Sequence, residues 1–307
     1  MRWLGVLSLG LLPLFLGTAI PARAGDAVKP TFANVSYGPH ERNVFDFWQA
    51  KSERPTPVIV FIHGGGFKAG DKSRANPKII RACLEQGVSY AAINYRFRTE
   101  VPIQDILRDC GRAIQFVRFK AADWKIDRER IAAHGGSAGA GTSLWLAFHD
   151  DLADPKSDDP ILRESSRLKA AGATACQASY DIVRWKDIFG EQVVAKYSPQ
   201  SDWPAFYGLK SVEEVLGAKG RAIRADVDML GLIRKGGSPV WLGAARADGE
   251  VTDRGHYLHH PRHAIVIKER CDQVGVEAVL HRGQAGKADV SLLAFLFKHL
   301  GVKGRKG

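Results

Sequence analysis

Continuously apolar stretches alternate along this chain with longer stretches in which apolar residues recur every three or four positions. Residues 58–62 are apolar throughout, which is typical of a strand buried on both faces of a parallel sheet. Residues 103–122 place Ile106, Cys110 and Ile114 on one face of a helix. Strands and helices in alternation predict an α/β fold, with a mostly parallel central sheet covered by helices on both faces.

The remaining elements follow from the same two patterns. Two short strands are expected within 32–48, around a Gly38-Pro39 turn. The other predicted strands are 88–95, 130–134, 168–178, 239–245 and 276–280, and the other predicted helices are 78–86, 139–149, 261–274 and 288–300. Residues 180–237 break this rhythm and carry several aromatic residues. We interpret them as a small cap over the C-terminal edge of the sheet, where ligands bind, with packing on the flank of the sheet as the alternative.

The N-terminus has the three regions of a secretory signal peptide. A positive charge at Arg2 precedes the apolar run 4–20, and Ala22 and Ala24 supply the small residues of a cleavage site. We therefore predict a signal peptide at 1–24 and an exported domain at 25–307, periplasmic or extracellular, with an uncleaved anchor as the alternative. No other stretch approaches the ~20 apolar residues of a membrane span, so no stable membrane insertion is expected after cleavage.

Charge and cysteine content change this picture little. The formal net charge is +11, but the basic residues are scattered among acidic ones, so no nucleic-acid partner is predicted. The four cysteines are widely spaced and lack a C-x-x-C pair, which favours neither a zinc site nor a redox motif. Cys176 is expected to be a small buried apolar residue. The sequence leaves disulfide pairing and oligomeric state open.

The strongest chemical motif is Gly135-Gly136-Ser137-Ala138-Gly139. It follows a predicted strand and precedes a predicted helix, which is the context of a G-x-S-x-G nucleophile elbow. A tight turn of this kind needs strained angles at the serine and glycines beside it, because side chains there would clash with neighbouring backbone. Ser137 is therefore the predicted nucleophile.

A second motif, His63-Gly64-Gly65-Gly66, follows the apolar strand 58–62. Glycines leave backbone N–H groups uncovered, so that they can approach a negatively charged oxygen. The N–H groups of Gly65, Gly66 and Ala138 are the predicted oxyanion hole. His63 is expected to fix this loop rather than to transfer protons.

Together the two motifs resemble the α/β-hydrolase superfamily, and within it the carboxylesterases with a His-Gly-Gly-Gly loop that are related to hormone-sensitive lipase and to feruloyl-esterase-like enzymes. The resemblance extends from about residue 37 to residue 300. It implies ester hydrolysis through an acyl-serine intermediate, with no metal and no organic cofactor. It also implies that the acid of the catalytic triad is Asp248, after the strand 239–245, with Asp253 as the second choice.

The position that matches the family's catalytic histidine holds Lys287 instead. A serine without a general base is a poor nucleophile at neutral pH. Three sources of a base stay open: His281, Lys287, or a histidine of the loop that contains His256, His259, His260 and His263.

Two functions follow from these motifs. The first is a secreted serine carboxylesterase that acts on small or polysaccharide-linked esters. The second is a catalytically impaired homologue that binds a ligand or a partner in the same pocket.

Overall fold

One sheet of eight strands runs through the protein. The computed structural model describes residues 28–283 and 285–303, without the side chains of 285–289, and the predicted signal peptide lies outside this description. The strands are β1 (Phe32–Ser36), β2 (Val44–Trp48), β3 (Thr56–Ile62), β4 (Ser89–Ile93), β5 (Ile126–Gly136), β6 (Ala170–Thr174), β7 (Val240–Gly243) and β8 (Ala278–His281). Their order in the sheet is β1-β2-β4-β3-β5-β6-β7-β8. Strand β2 is antiparallel to β1 and β4, and every other neighbouring pair is parallel.

Helices follow most of the strands. They are α1 (Pro77–Glu85), α2 (Ile103–Phe119), α3 (Ala138–Phe148), α4 (Trp185–Phe189), α5 (Glu191–Tyr197), α6 (Trp203–Tyr207), α7 (Val212–Leu216), α8 (Ala218–Asp226), α9 (Met229–Leu232), α10 (Arg254–Leu258), α11 (Pro261–Val274) and α12 (Ala285–His299). Among the described residues, no helix is both long and apolar enough to cross a bilayer.

Alternate side chains of the central strands pack into two cores, one on each face of the sheet. In β3, Val58, Val60 and Ile62 belong to the core that α2, α3 and α11 complete, whereas Ile59 faces the core of α1 and α12. Burial on both faces explains why residues 58–62 of this strand are all apolar. The predicted fold class is confirmed.

Two details differ from the sequence pattern or refine it. The predicted strand 168–178 is shorter, because β6 ends at Thr174 and Ala175 takes a positive φ of 51° that turns the chain out of the sheet. Cys176 is buried beside this turn, and all four cysteines are buried free thiols.

The segment between β6 and β7, where the sequence predicted a cap, consists of short helices, α4 to α9. Two of its aromatic residues, Trp185 and Trp203, are almost fully buried and border a pocket above Ser137. This segment therefore forms one wall of the candidate site.

Candidate active site

Ser137 stands at the junction of β5 and α3 with φ 53° and ψ −119°. These angles are costly for a residue with a side chain, and neighbouring structure must hold them. The N–H of Ser137 donates to the carbonyl of Thr174 at 2.9 Å, and its own carbonyl accepts from Gly141 at 3.1 Å. The predicted elbow geometry is therefore present, with the side chain at the N-terminus of α3.

The glycines of the elbow are needed because backbone passes very close to them. A Cβ on Gly139 would lie 1.9 Å from the carbonyl oxygen of Ile62, and one on Gly135 would lie 2.4 Å from the same atom. Contacts this short with backbone of a central strand cannot be relieved by a side-chain rotation. The glycines of the G-x-S-x-G motif are therefore required by the close packing of the elbow against β3.

The glycine loop lies directly against the elbow. A Cβ on Gly64 would meet the carbonyl oxygen of Gly136 at 2.6 Å, while Gly65 and Gly66 have positive φ values of 123° and 61°. Gly65, Gly66 and Ala138 border the same pocket as Ser137. Within the described residues, the backbone N–H groups of Gly66 and Ala138 donate no hydrogen bond. They are available to a ligand in that pocket.

His63 is fully buried and holds the glycine loop, as expected from the sequence. Its Nδ1–H donates to the carbonyl of Gly64 at 2.8 Å, and its ring stacks on Tyr95 with a centroid distance of 4.2 Å. Burial lowers the pKa of His63 to about 4, so the ring is neutral at physiological pH.

The side chain that meets the serine is His259, with 2.8 Å between the Nε2 atom and Ser137 Oγ. Its other ring nitrogen, Nδ1, lies 3.0 Å from the carbonyl oxygen of Gly255. A carbonyl only accepts hydrogen bonds, so Nδ1 carries the proton and Nε2 of the neutral ring is left as an acceptor. This tautomer is the one that a general base for Ser137 requires.

The environment of His259 favours the neutral imidazole. Burial lowers the pKa of His259 below its usual value, the hydrogen bond to Gly255 acts in the opposite direction, and the charge of Arg246 lowers it further. None of the carboxylates among the described residues takes part in this balance, in contrast to a triad histidine.

The sequence fixes His259 by ending one helix and beginning another at this point. The Asp253 side chain caps α10 by accepting from the N–H of His256 at 2.8 Å, and His259 follows the last residue of α10. The next helix, α11, has the His260 side chain as its N-cap and Pro261 at its first turn. His259 is thereby held in a rigid junction between the two helices.

The other histidines of this region support the loop after β7. The Nε2–H groups of His256 and His260 donate to the carbonyls of Ala247 and Gly249 at 2.9 and 2.8 Å, and the two rings stack 4.6 Å apart. His263 is fully buried and donates to the carbonyl of Tyr257 at 3.1 Å. Of the four loop histidines left open by the sequence, the structure brings His259 to Ser137.

Asp248 does not occupy the place predicted for it. Its carboxylate pairs with Arg282 at 3.0 Å, and the hydrogen-bond acceptor beside His259 Nδ1 is the carbonyl of Gly255. The physical reason lies in α10, whose last turn directs a backbone carbonyl at the ring. Every residue has a backbone carbonyl, so the sequence pattern could not point to that of Gly255 as the partner of His259. Asp253, the second choice, is used as the cap of α10.

The other two candidates for the base were His281 and Lys287. His281 ends β8 and stacks on Trp241 with a centroid distance of 5.6 Å. The side chain of Lys287 lies outside the described residues.

A pocket of about 310 Å³ opens above Ser137. The glycine loop and Phe67 border it, together with an aromatic wall. The aromatic wall is made of Tyr180, Trp185, Tyr197, Trp203, Phe206 and Tyr257. Predominantly apolar pockets with a few convergent polar groups are typical of small-molecule sites.

The order of these motifs agrees with a family model. Residues 46–201, just over half of the chain, match the family described as BD-FAE. The chain belongs to the BD-FAE family. The resemblance to feruloyl-esterase-like α/β hydrolases is thus confirmed. The matched range contains Ser137 and the glycine loop and ends before the loop that supplies His259.

Curated relatives of this BD-FAE member match over part of their length. It is 32% identical over 160 residues to a rice protein named probable isoprenylcysteine alpha-carbonyl methylesterase ICME, covering 52% of this chain and 38% of that protein. It is 29% identical over 158 residues to the probable carboxylic ester hydrolase LipM of Mycobacterium tuberculosis, covering 50% of this chain and 36% of that protein. The chain therefore spans well under two thirds of these relatives.

Solved structures share the fold over nearly the whole length. A truncated carbohydrate esterase from gut microbiota has a TM-score of 0.72 at 18% identity, covering 91% of this chain and 99% of that one. An acetyl ester-xyloside bifunctional hydrolase from Caldicellulosiruptor lactoaceticus has a TM-score of 0.64 at 19% identity, covering 85% of this chain and 89% of that one. At these identities the likeness establishes the α/β-hydrolase fold alone.

Proposed function

We propose that this protein is a serine carboxylesterase that works through an acyl-Ser137 intermediate, with His259 as its general base. The observation that carries the proposal is the 2.8 Å contact between Ser137 Oγ and His259 Nε2, with Nδ1 held by the Gly255 carbonyl. Nucleophile and base within hydrogen-bond reach, with the base oriented by a third group, are the signature of covalent catalysis by serine.

In the first half of the reaction, Ser137 Oγ attacks the ester carbonyl carbon while its proton passes to Nε2 of His259. The carbonyl oxygen becomes an oxyanion, which accepts hydrogen bonds from the N–H groups of Ala138 and of Gly65 or Gly66. The imidazolium then returns the proton to the departing alcohol oxygen. The C–O bond of the ester breaks, and the acyl group stays on Ser137.

In the second half, water replaces the alcohol. His259 removes a proton from the water as its oxygen attacks the acyl carbon, and the same proton is then given back to Ser137 Oγ. The free acid leaves. The Gly255 carbonyl keeps His259 in the correct tautomer through both halves, which is one of the two tasks that a triad aspartate performs. Its partial negative charge takes the place of a full carboxylate charge.

The substrates that we propose are small or polysaccharide-linked esters such as acetyl and hydroxycinnamoyl esters. The pocket of about 310 Å³ and its aromatic wall fit an acyl group or a sugar ring of that size. Relatives and neighbours named as carboxylic ester, acetyl ester and carbohydrate ester hydrolases support this class. Export by the signal peptide at 1–24 belongs to the same proposal, since polysaccharide-linked esters lie outside the cell.

The second function, an impaired homologue that only binds, was considered because position 287 holds a lysine in place of the family's histidine. With His259 as the base from a different loop, the reason for considering that function no longer applies.

Purified protein incubated with p-nitrophenyl acetate, butyrate and ferulate, beside Ser137→Ala, tests the proposal. We expect turnover that Ser137→Ala abolishes. Equal rates for the two proteins, or no turnover of any of the three esters, would refute the esterase function.

A further inference from the structure

Three cationic side chains from three separate elements border the pocket above Ser137. Lys68 follows the glycine loop, Arg98 lies in the loop after β4, and Arg254 opens α10. One carboxylate, Asp202, borders the same pocket. Counting these four charges, the pocket has a net charge of +2. A low-dielectric cleft with an excess of one sign attracts ligands of the other sign.

The two arginines lack a direct partner in the described part of the protein. Within the described residues, neither the Arg98 nor the Arg254 guanidinium forms an ion pair or a hydrogen bond, whereas most other arginines in the fold do. Burial lowers the pKa of Arg98, with the charge of Asp202 opposing this effect and that of Arg254 adding to it. The two like charges are therefore close enough to interact.

A third group in this pocket also lacks a partner. Tyr257 is completely buried, its ring packs among Trp185, Phe189 and Tyr197, and its hydroxyl has no hydrogen-bond partner. Burial raises the pKa of the Tyr257 phenol, and the positive charge of Arg254 opposes this effect. A buried hydroxyl without a partner is unfavourable, and a hydrogen-bond acceptor on a ligand would satisfy it.

The positions of the arginines tie them to the catalytic machinery. The N–H of Arg98 donates to the carbonyl of Phe67, at the end of the glycine loop, at 2.7 Å. Arg254 immediately precedes Gly255, whose carbonyl orients His259. A ligand held by both side chains would therefore span the space between the glycine loop and α10, across the mouth of the pocket.

We infer that Arg98, Arg254 and the Tyr257 hydroxyl form a subsite for a carboxylate carried by the substrate, in addition to the ester that Ser137 attacks. The inference rests on the proposed esterase function and names its substrate class, an ester with a second, free carboxylate. Acylated uronic acids and half-esters of dicarboxylic acids both belong to this class. Guanidinium groups bind carboxylates by charge-assisted, often bidentate, hydrogen bonds.

Two pairs of rigid substrates test the inference and locate the carboxylate. In the first pair, mono-4-nitrophenyl terephthalate carries the carboxylate on the acyl side, and its 4-carbamoyl analogue is the neutral control. In the second pair, 4-acetoxybenzoate carries the carboxylate on the alcohol side, and 4-acetoxybenzamide is the neutral control. Each pair differs only in a carboxylate against an amide of the same shape. We expect kcat/KM to favour the carboxylate by about ten- to a hundredfold in one pair, through KM.

Variants assign the preference to the subsite. Arg98→Gln and Arg254→Gln should each lower the carboxylate-to-amide ratio about tenfold. Arg163→Gln makes the same charge change at an exposed arginine outside the pocket and should leave the ratio unchanged. Asp202→Asn should raise the ratio, since it removes the one opposing charge. Tyr257→Phe should lower the ratio, since it removes the hydroxyl that would donate to the carboxylate.

A ratio of one or less in both pairs, with normal turnover of the amides, overturns the subsite and leaves the esterase function standing. An equal loss in Arg163→Gln overturns it too, because the effect would then come from overall charge. Calorimetric binding to Ser137→Ala keeps the test independent of turnover. Tighter binding of the acid than of the amide supports the subsite even without hydrolysis, and equal binding refutes it.

Discussion

The pH dependence of ester turnover follows from the surroundings of His259. Only the neutral imidazole can accept the proton of Ser137, so kcat/KM of the free enzyme is proportional to the neutral fraction of this ring. Burial and the charge of Arg246 lower the pKa of His259 below 6.5, against the opposing effect of the Gly255 carbonyl. Turnover should therefore rise with pH, with its inflection below pH 6.5, and then reach a plateau.

The size of the effect can be bounded at one pH. An unperturbed imidazole is half neutral at about pH 6.5, so the rate there would be about half of the plateau. With a lowered pKa, the rate of this protein at pH 6.5 exceeds half of its plateau. A carboxylate on Nδ1 would have the opposite effect, because a nearby negative charge favours the imidazolium and raises its pKa.

The assay is kcat/KM for a short-chain ester from pH 5 to pH 9, with circular dichroism in each buffer to confirm the fold. Arg246→Gln is the matched perturbation, since it removes the positive charge that lowers the pKa of His259. Its inflection should move upward by less than about one pH unit. An inflection above pH 6.5 in the unmodified protein would refute the reasoning.

Three further predictions concern the acid, the elbow and the buried histidines. Asp248→Asn should keep kcat/KM within about threefold, because Asp248 pairs with Arg282 at 3.0 Å, and a hundredfold loss would restore the aspartate as the triad acid. Gly139→Ala should abolish activity and lower the melting temperature, because its Cβ would lie 1.9 Å from the Ile62 carbonyl oxygen; a folded, active variant would contradict the packing. The free energy of unfolding in urea should fall between pH 6.5 and pH 4, because three buried histidines stay neutral in the folded protein and become protonated when it unfolds. Each histidine should lower the free energy of unfolding by about 2–3 kcal/mol over this range, and a urea midpoint that does not change with pH would contradict this. The pKa values that burial lowers are about 4 for His63 and His134 and about 3 for His263.

The fold was predictable because its signals are local and repeated. Helix α11 begins and ends at the predicted residues, since Pro261 at its start and Gly275 after its end are strong local signals. The apolar run of β3 and the elbow at Ser137 likewise carry their meaning within a few residues. The sequence placed the end of β6 too late, because Ala175 takes a left-handed conformation that is uncommon for alanine.

The base was harder to predict because it depends on a contact over 122 residues of sequence. The loop holds four histidines, and their spacing does not separate His256 and His260, which hold the loop after β7, from His259. The Gly255 carbonyl carries no sequence signal.

We propose that His259, displaced from the family's usual position, is the base for Ser137. The most direct test compares kcat/KM of His259→Gln with that of His281→Gln, which changes the histidine on the strand nearest the family's position. We predict a loss of about a thousandfold or more for His259→Gln and a change within about threefold for His281→Gln, with both variants folded by circular dichroism. More than a tenth of the activity left in His259→Gln, or an equal loss in His281→Gln, would contradict the account.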